Sequence, residues 1–582
     1  MADDRPPLAA GADLELTARA LAAGALVGLL LAVVNVYMGL KTGWWDSGHV
    51  TASILGFAFL SLVARRRTGP PVTPRETSVA LSLAASVGAM PAAAGLLGPL
   101  PALALMGREP PGWLVAALGL ALGTLGVAIA LALRRRLLEE ENLPFPTGIA
   151  TAEVIGALHA GGAERRGRTL LGSAAAALAA TWVRDGRPAL LPGAVFWPGP
   201  IGGLPAASYG LGIAVSPMMI GAGMLVGVQN GLSVVLGAVL AWALAAPELV
   251  GRGLVASASY PALAAWLMWP AVGLMLGAAA VALAGQAGSV VASLRDLGEA
   301  GRGAGGAGEE RRDRRRLLLL SGLAAVAVLW LGWRGFGLHP LAGALALALS
   351  LPLASVCARA AGRTDFSPVG DMGQLTQAVV GAIATAEPAA TIGAGAIVSG
   401  EAAQTGVSLW SLRAGSRLGA SPRRQARAML LGVAVGSLAA VPAYLLLARA
   451  YGIGTAAFPA PTAARFKALA EVLAGGAAAM PRGAAWAAAA AFALGVLLEV
   501  AGRTRVARWL PSAGAMGVGI IAPAHYAFAI CLGALLATAW RRARPGPASV
   551  HAAPAGAGLI AGESVMGLVV ALLVAAGIMP AP

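Results

Sequence analysis

The chain is poor in charge, cysteine and histidine. Of its 582 residues, 12% are Asp, Glu, Lys or Arg, about half the charge of a soluble domain. The two cysteines, Cys357 and Cys531, lie in apolar surroundings, which excludes a disulfide framework and cysteine-based metal spacing. Five scattered histidines do not make a dedicated metal cage. There is no Walker A sequence, and so no self-contained ATP drive. HExxH and GxSxG are also missing, which removes common intramembrane hydrolase signatures. No cofactor and no enzymatic activity are expected.

What the chain has is apolar length. Hydrophobic residues make up 58% of it, and the mean hydropathy is +0.76. Runs such as 16–37, 112–133 and 261–284 exceed the roughly 20 residues that cross a bilayer. The expected fold is an all-α polytopic membrane protein with about 16 transmembrane helices. Spans are expected near 77–105, 317–333 and 374–399, among others, with a short segment near 400–412. The formal net charge is +16. Its arginines cluster between apolar runs, at 65–67, 134–136, 165–168, 311–316, 423–427, 503–508 and 541–544. That is the positive-inside pattern of cytoplasmic loops and not a nucleic-acid footprint. The expected location is a cytoplasmic (inner) cell membrane, with the lipid bilayer as partner. The first twenty residues include acidic groups and lack a basic n-region, so the first apolar run is expected to be a retained helix.

Two segments echo each other. Residues 145–154 read FPTGIATAEV, and 458–472 read FPAPTAARFKALAEV. Each places a glutamate after a Pro-Thr break, the pattern of a transport pathway built on broken helices. Basic clusters flank 145–160 on both sides, so this piece is expected to dip into the membrane and return. An ordinary short helix is the plainer alternative. Further markers follow in order. Pro74 and Gly88 pair with Pro422 and Gly436; Pro217 and Gly223 pair with Pro511 and Gly517; Gly273 and Gly277 pair with Gly558 and Gly562. The expected organisation is a first repeat at 1–292, a basic, Gly-rich cytoplasmic linker at 293–316, and a second repeat at 317–582 with two added helices at its start. Parallel and inverted arrangements both remain open. Gly301–Gly306 matches a dinucleotide fingerprint by chance, since no strand precedes it. Residues 185–208, rich in Pro and Gly, are expected to form an ordered loop.

Charged groups inside spans are costly and deserve first attention. The acidic candidates for a substrate or proton pathway are Glu153, Glu401, Glu471 and Glu563. Glu153 is favoured because a helix break lies beside it, and Glu471 has Arg465 and Lys467 as neutralising neighbours. For Glu563, a helix-to-helix hydrogen bond weighs equally. A second cluster runs from Asn35 and Tyr37 through Lys41 to Asp46 and His49. It could face an aqueous vestibule, with a helix start near Ser47 adding positive charge for a substrate carboxylate. The alternative is a polar loop with Trp44 and Trp45 as interface anchors. Asn230, Gln377 and Gln404 complete the candidates, each also readable as an interhelical hydrogen bond. Gly24/Gly28, Gly223/Gly227 and Gly273/Gly277 read as helix packing.

NVYMGLKTG at 35–43, FPTGIATAEV at 145–154, SPMMIGAG at 216–223, LGASPRRQ at 418–425 and LIAGE at 559–563 together resemble the prokaryotic branch of the oligopeptide transporter (OPT) superfamily. The resemblance implies a secondary transporter of short peptides or, in the yellow-stripe-like branch, of metal chelates, typically a proton-coupled symporter. A homo-oligomer is compatible with it. Two stretches depart from the family pattern by losing an acidic group: Gly88-Ala89-Met90 and Ser411-Leu412-Arg413-Ala414-Gly415. Rival classes are a membrane-embedded enzyme acting on lipid-linked substrates, which needs polar residues gathered at one interface, and a non-transporting OPT-like scaffold.

Overall fold

The computed structural model describes residues 15–66, 70–186, 189–285, 308–364, 367–384, 387–505 and 507–580. Helices dominate, and their ends are written in the sequence. Prolines occupy first turns, where a missing N–H costs nothing. Glycines in the left-handed conformation close helices, as at Gly43 and Gly419.

The first half comprises α1 (Ala18–Thr42), α2 (His49–Arg66), α3 (Pro74–Ala93), α4 (Pro99–Ala104), α5 (Gly112–Arg134), α6 (Pro146–Ala157), α7 (Ala163–Asp185), α8 (Pro217–Val226), α9 (Val228–Ala238), α10 (Ala246–Gly251) and α11 (Tyr260–Ala284). The second comprises α12 (Gly308–Phe336), α13 (Pro340–Thr364), α14 (Val369–Ile383), α15 (Pro388–Leu418), α16 (Pro422–Tyr451), α17 (Pro461–Gly475), α18 (Ala484–Ala501), α19 (Ala513–Ile521), α20 (Ala524–Ala543) and α21 (Pro545–Ala575). Among the described residues, nine helices are long and apolar enough to cross a membrane, and His49–Arg65 and Pro217–Val226 are shorter apolar helices. The protein is an all-α, multi-pass membrane protein.

Contacts between the halves are reciprocal. α7 packs along α21, and α11 along α18; α8 packs on α20, and α9 on α19. The glycines at these crossings admit a bare backbone. A Cβ on Gly273 or Gly277 would lie 2.2 or 2.1 Å from the carbonyl oxygens of Ala488 or Phe492 in α18. On α21, a Cβ on Gly558 or Gly562 would lie 2.3 or 2.2 Å from the carbonyl oxygens of Leu170 or Ala174 in α7.

The broken helices are reciprocal too. α6 follows Phe145 (φ 47°), and α17 follows Ala460 (φ 45°), both in the left-handed region and both before proline. Phe145 N–H donates to Gly362 O at the end of α13 (2.9 Å), and Ala460 N–H donates to Leu40 O at the end of α1 (2.8 Å). Each break is thus pinned to the C-terminal end of a long helix in the opposite half.

Several expectations change. Residues 145–160 do not fold back: α6 runs through π-helical residues 158–162 into α7 without an intervening loop. The span placed at 374–399 straddles the gap between α14 and α15. The break comes before Pro388, and the helix then continues unbroken past the buried Glu401, since glutamate is a good helix former and does not interrupt the backbone ladder. The expected span at 77–105 is interrupted at Gly95 (φ 74°). Residues 308–316 of the expected linker are the opening turns of α12; residues 293–307, with the Gly301–Gly306 match, lie outside the described residues, as do residues 1–14. The described part of the expected loop, residues 189–208, together with residues 209–214, holds a small ordered structure. β1 (Ala194–Phe196) pairs antiparallel with β4 (Gly212–Ala214), and β2 (Pro200–Ile201) with β3 (Leu204–Pro205).

Candidate functional site

A cavity of about 790 Å³ lies between the halves, within the range of small-molecule sites. Its wall includes Trp44, Trp45, Asp46, Ser47 and His49 from the first half, with Thr147 of α6 and Asn230 of α9. The second half adds Asp371, Ser399, Trp410, Thr462, Arg465 and Phe466, and Ser512 before α19. The starts of α2, α6, α17 and α19 therefore all reach this space, bringing the positive ends of their dipoles. Trp44 and Trp45 face the cavity and pack on the core, so their expected role as interface anchors gives way to a lining role.

The loop that carries Asp46 is held by Asn35. Its Nδ2 donates to the carbonyls of Asp46 and Gly88 (2.8 Å each), and its Oδ1 accepts from Asp46 N–H (3.0 Å). His49 Nε2 lies 2.9 Å from Ser411 Oγ, at one of the positions where the family pattern loses an acid. Asn230 lines the cavity while its Nδ2 donates to Val226 O (3.1 Å).

Arg465 and Asp371 were not among the sequence candidates for the pathway. Arg465 Nη2 lies 3.3 Å from Asp371 Oδ1, and Nη1 donates to the sulfur of Met275 (3.1 Å). The arginine is 6% exposed, and its Nε has no hydrogen-bond partner. The signal was present in the sequence as a basic residue one turn into a broken helix.

Next to the cavity, Glu563 forms a fully buried ionic centre. Its Oε1 accepts from Lys41 Nζ (3.0 Å) and from Nη1 and Nη2 of Arg184 (3.3 Å each). Its Oε2 accepts from Ser216 Oγ (2.8 Å) and from Met218 N–H at the start of α8 (2.9 Å). Arg184 also holds Asp185 (2.6 Å) and Val215 O (2.7 Å). Lys41 reaches Tyr37 OH (3.2 Å) and lies over the rings of Tyr37 and Tyr526. This centre ties α1, α7 and α8 to α21. Tyr37 and Lys41 belong to it and do not line the cavity. Sequence reading missed Arg184, which sits beside the Pro/Gly-rich stretch at a helix end.

The remaining candidates are scattered. Glu153 is exposed on α6. Glu471 pairs with Lys467 (3.6 Å) on the partly exposed face of α17. Gln377 donates to Phe466 O (2.9 Å), bracing α14 against α17. Gln404 donates to Ser86 Oγ (3.0 Å), joining α15 to α3. Glu401 is buried in α15 near Ser350 of α13, and its Oε1 has no hydrogen-bond partner. Among the described residues, no cluster of three His, Cys, Asp or Glu side chains could hold a metal ion.

Comparison with known proteins converges on one family. The model of the OPT oligopeptide transporter protein family matches residues 15–574. A putative oligopeptide transporter of Haemophilus influenzae is 29% identical over 36% of this chain, and that match covers 32% of the relative's length. A metal-nicotianamine transporter of Arabidopsis thaliana is 21% identical over 97% of this chain and 94% of its own. An iron-phytosiderophore transporter of Oryza sativa subsp. japonica is 24% identical over 97% of this chain and 92% of its own. With the family match running almost end to end, the chain belongs to the OPT oligopeptide transporter family.

Proposed function

We propose that the protein is a secondary active transporter that moves short peptides or peptide-like metal chelates across the cytoplasmic membrane, with protons as the coupling ion. The observation that carries this reading is the cavity between the two halves. Its volume suits a small solute, and its wall combines tryptophans, an aspartate–arginine pair and several helix starts. A site walled by both halves is what alternating access requires. The enzyme alternative needs polar groups gathered beside an acyl-sized groove; Glu153 and Glu563 instead differ completely in burial, one exposed and one enclosed.

In the same reading, the halves are duplicated repeats. Reciprocal packing supports pairing α1 with α13, α3 and α4 with α15, α5 with α16, and α6 with α17. Pro74 then corresponds to Pro388 instead of Pro422, and α12 is the one added helix among the described residues. Pro388 stands at nearly the same distance along the chain from Pro74 as Ala460 does from Phe145.

Uptake by the purified full-length protein in proteoliposomes tests the function. Tripeptides and nickel–nicotianamine are offered with and without an inward proton gradient. Accumulation that collapses with the gradient is expected. Passive, gradient-independent flux would remove proton coupling; no uptake of either solute class would remove the substrate assignment.

A further inference from the structure

The start of α17 is an uncapped helix end on the cavity wall. The first turn of any helix leaves N–H groups without intrahelical partners. Around the cavity these are met differently. Ser512 caps α19 by accepting from Ala515 N–H. In the adjoining ionic centre, Ser216 and Glu563 together serve α8. At α17 the capping position is Ala460, which has no side-chain acceptor. Thr462 donates its hydroxyl to Gly43 O (3.2 Å) and so does not cap the helix.

A buried cation stands one turn further in. Arg465 is more than nine-tenths buried, lines the same cavity and has its Nε unpartnered. Of its remaining contacts, one is a 3.3 Å ion pair with Asp371 and one is to a thioether, a weak acceptor. A guanidinium offers a planar fork of donors matched to a carboxylate. An uncapped helix start and a guanidinium facing one space make an anion site. α6 also begins uncapped at the cavity, with Thr147 on the wall, but Arg465 is the arginine among the lining residues.

We propose that the first turn of α17 and Arg465 form the subsite for a free carboxylate of the transported molecule, and that Asp371 is the counter-ion this carboxylate displaces from Arg465. The inference rests on the transporter reading and specifies its substrate: a solute with a free carboxylate, whether the C-terminus of a peptide or the arm of an amino-carboxylate chelate. Trp410 and Phe466 then flank the body of the solute. The displaced Asp371 is left facing the cavity, where an ammonium group of the same solute can replace the lost arginine.

The test measures binding to full-length protein in detergent by ligand-induced thermal shift. The probes are trialanine, trialanine amide and nickel–nicotianamine. The wild type is expected to bind at least one carboxylate probe, and to bind the amide about tenfold more weakly than trialanine where trialanine is the ligand. Which carboxylate probe binds separates a peptide source from a chelate source. R465Q should weaken the carboxylate probe by about tenfold and leave amide binding unchanged, and R465K should recover part of the loss. Because R465Q leaves Asp371 unpaired, the double variant D371N/R465Q removes both charges and should show the same loss while folding normally. Equal binding of trialanine and its amide, or carboxylate binding unchanged in both R465Q and the double variant, would overturn the inference while transport stands. If no probe binds to or is transported by the wild type, the peptide-or-chelate substrate assignment falls, and the subsite with it.

Discussion

Lys41 Nζ lies 3.0 Å from Glu563 Oε1, a contact between residues 522 positions apart that joins the first helix to the last. Both side chains are buried, and Arg184 approaches the same carboxylate oxygen. Breaking a buried pair by removing one member leaves an uncompensated charge, at a cost of about 3–5 kcal/mol. E563Q strands Lys41, while Arg184 keeps its contact with Asp185 (2.6 Å), and it is expected to destabilise the protein by that amount. K41M should cost less, because Arg184, Ser216 and Met218 N–H still serve the carboxylate. A double-mutant cycle with K41M/E563Q, followed by thermal unfolding in detergent, checks the coupling. Additive effects would show that the contact carries no energy.

The crossing of α11 and α18 gives a steric prediction. A methyl at Gly277 would sit 2.1 Å from Phe492 O, a backbone atom that cannot rotate away. G277A is expected to separate the two helices and cost about 1–3 kcal/mol. Gly172 in α7 has open space where its Cβ would be. G172A should therefore be neutral or stabilise by up to about 1 kcal/mol, through helix propensity alone. Melting temperatures of the two variants shifting in the same direction would sink this account.

The fold was legible because lipid leaves few options: long apolar runs become helices, and arginine clusters mark their ends. The breaks at Pro146 and Pro461 were visible because proline before an apolar run starts a helix. Boundaries were lost where a polar residue lay inside a helix. Glu401 looked like a span end, yet it is enclosed without interrupting α15. The cavity was half legible. Asp46 and His49 were found from local polarity. Asp371 and Arg465 were not, since their meaning lies in a 3.3 Å contact between α14 and α17 that sequence distance hides. Glu153 and Glu471 looked alike in sequence because a motif records spacing and not environment. On the folded chain one is exposed and the other pairs with Lys467.

Ala460 holds φ at 45° immediately before Pro461, and its N–H is committed to Leu40 O. A non-glycine residue in the left-handed region costs about 1–2 kcal/mol, and β-branching makes it worse. A460V is expected to destabilise by about 1–3 kcal/mol, with added crowding because the site is fully buried. A460G should be tolerated, since glycine adopts this conformation freely. Comparing both variants by thermal unfolding checks the geometry. If valine were accepted as readily as glycine, the left-handed break before α17 would be wrong.

Proton coupling needs a carboxylate that can change its charge without tearing out a fixed cation. Glu563 fails this condition, because Lys41 and Arg184 both hold it. Glu153 is exposed, and Glu471 is a surface helix pair. Glu401 meets the condition: it is 1% exposed, forms no ion pair among the described residues, and has Oε1 without a hydrogen-bond partner. It sits one residue from Gly400, which packs on the backbone of Ala93, next to the cavity-lining Ala92. A neutral glutamine at 401 mimics the protonated state and fixes it. E401Q is therefore expected to lose gradient-driven accumulation in proteoliposomes while keeping substrate exchange at equal pH on both sides. E153Q should leave both activities intact. Undiminished gradient-driven uptake by E401Q, in a preparation where the wild type is coupled, would take the proton site away from α15.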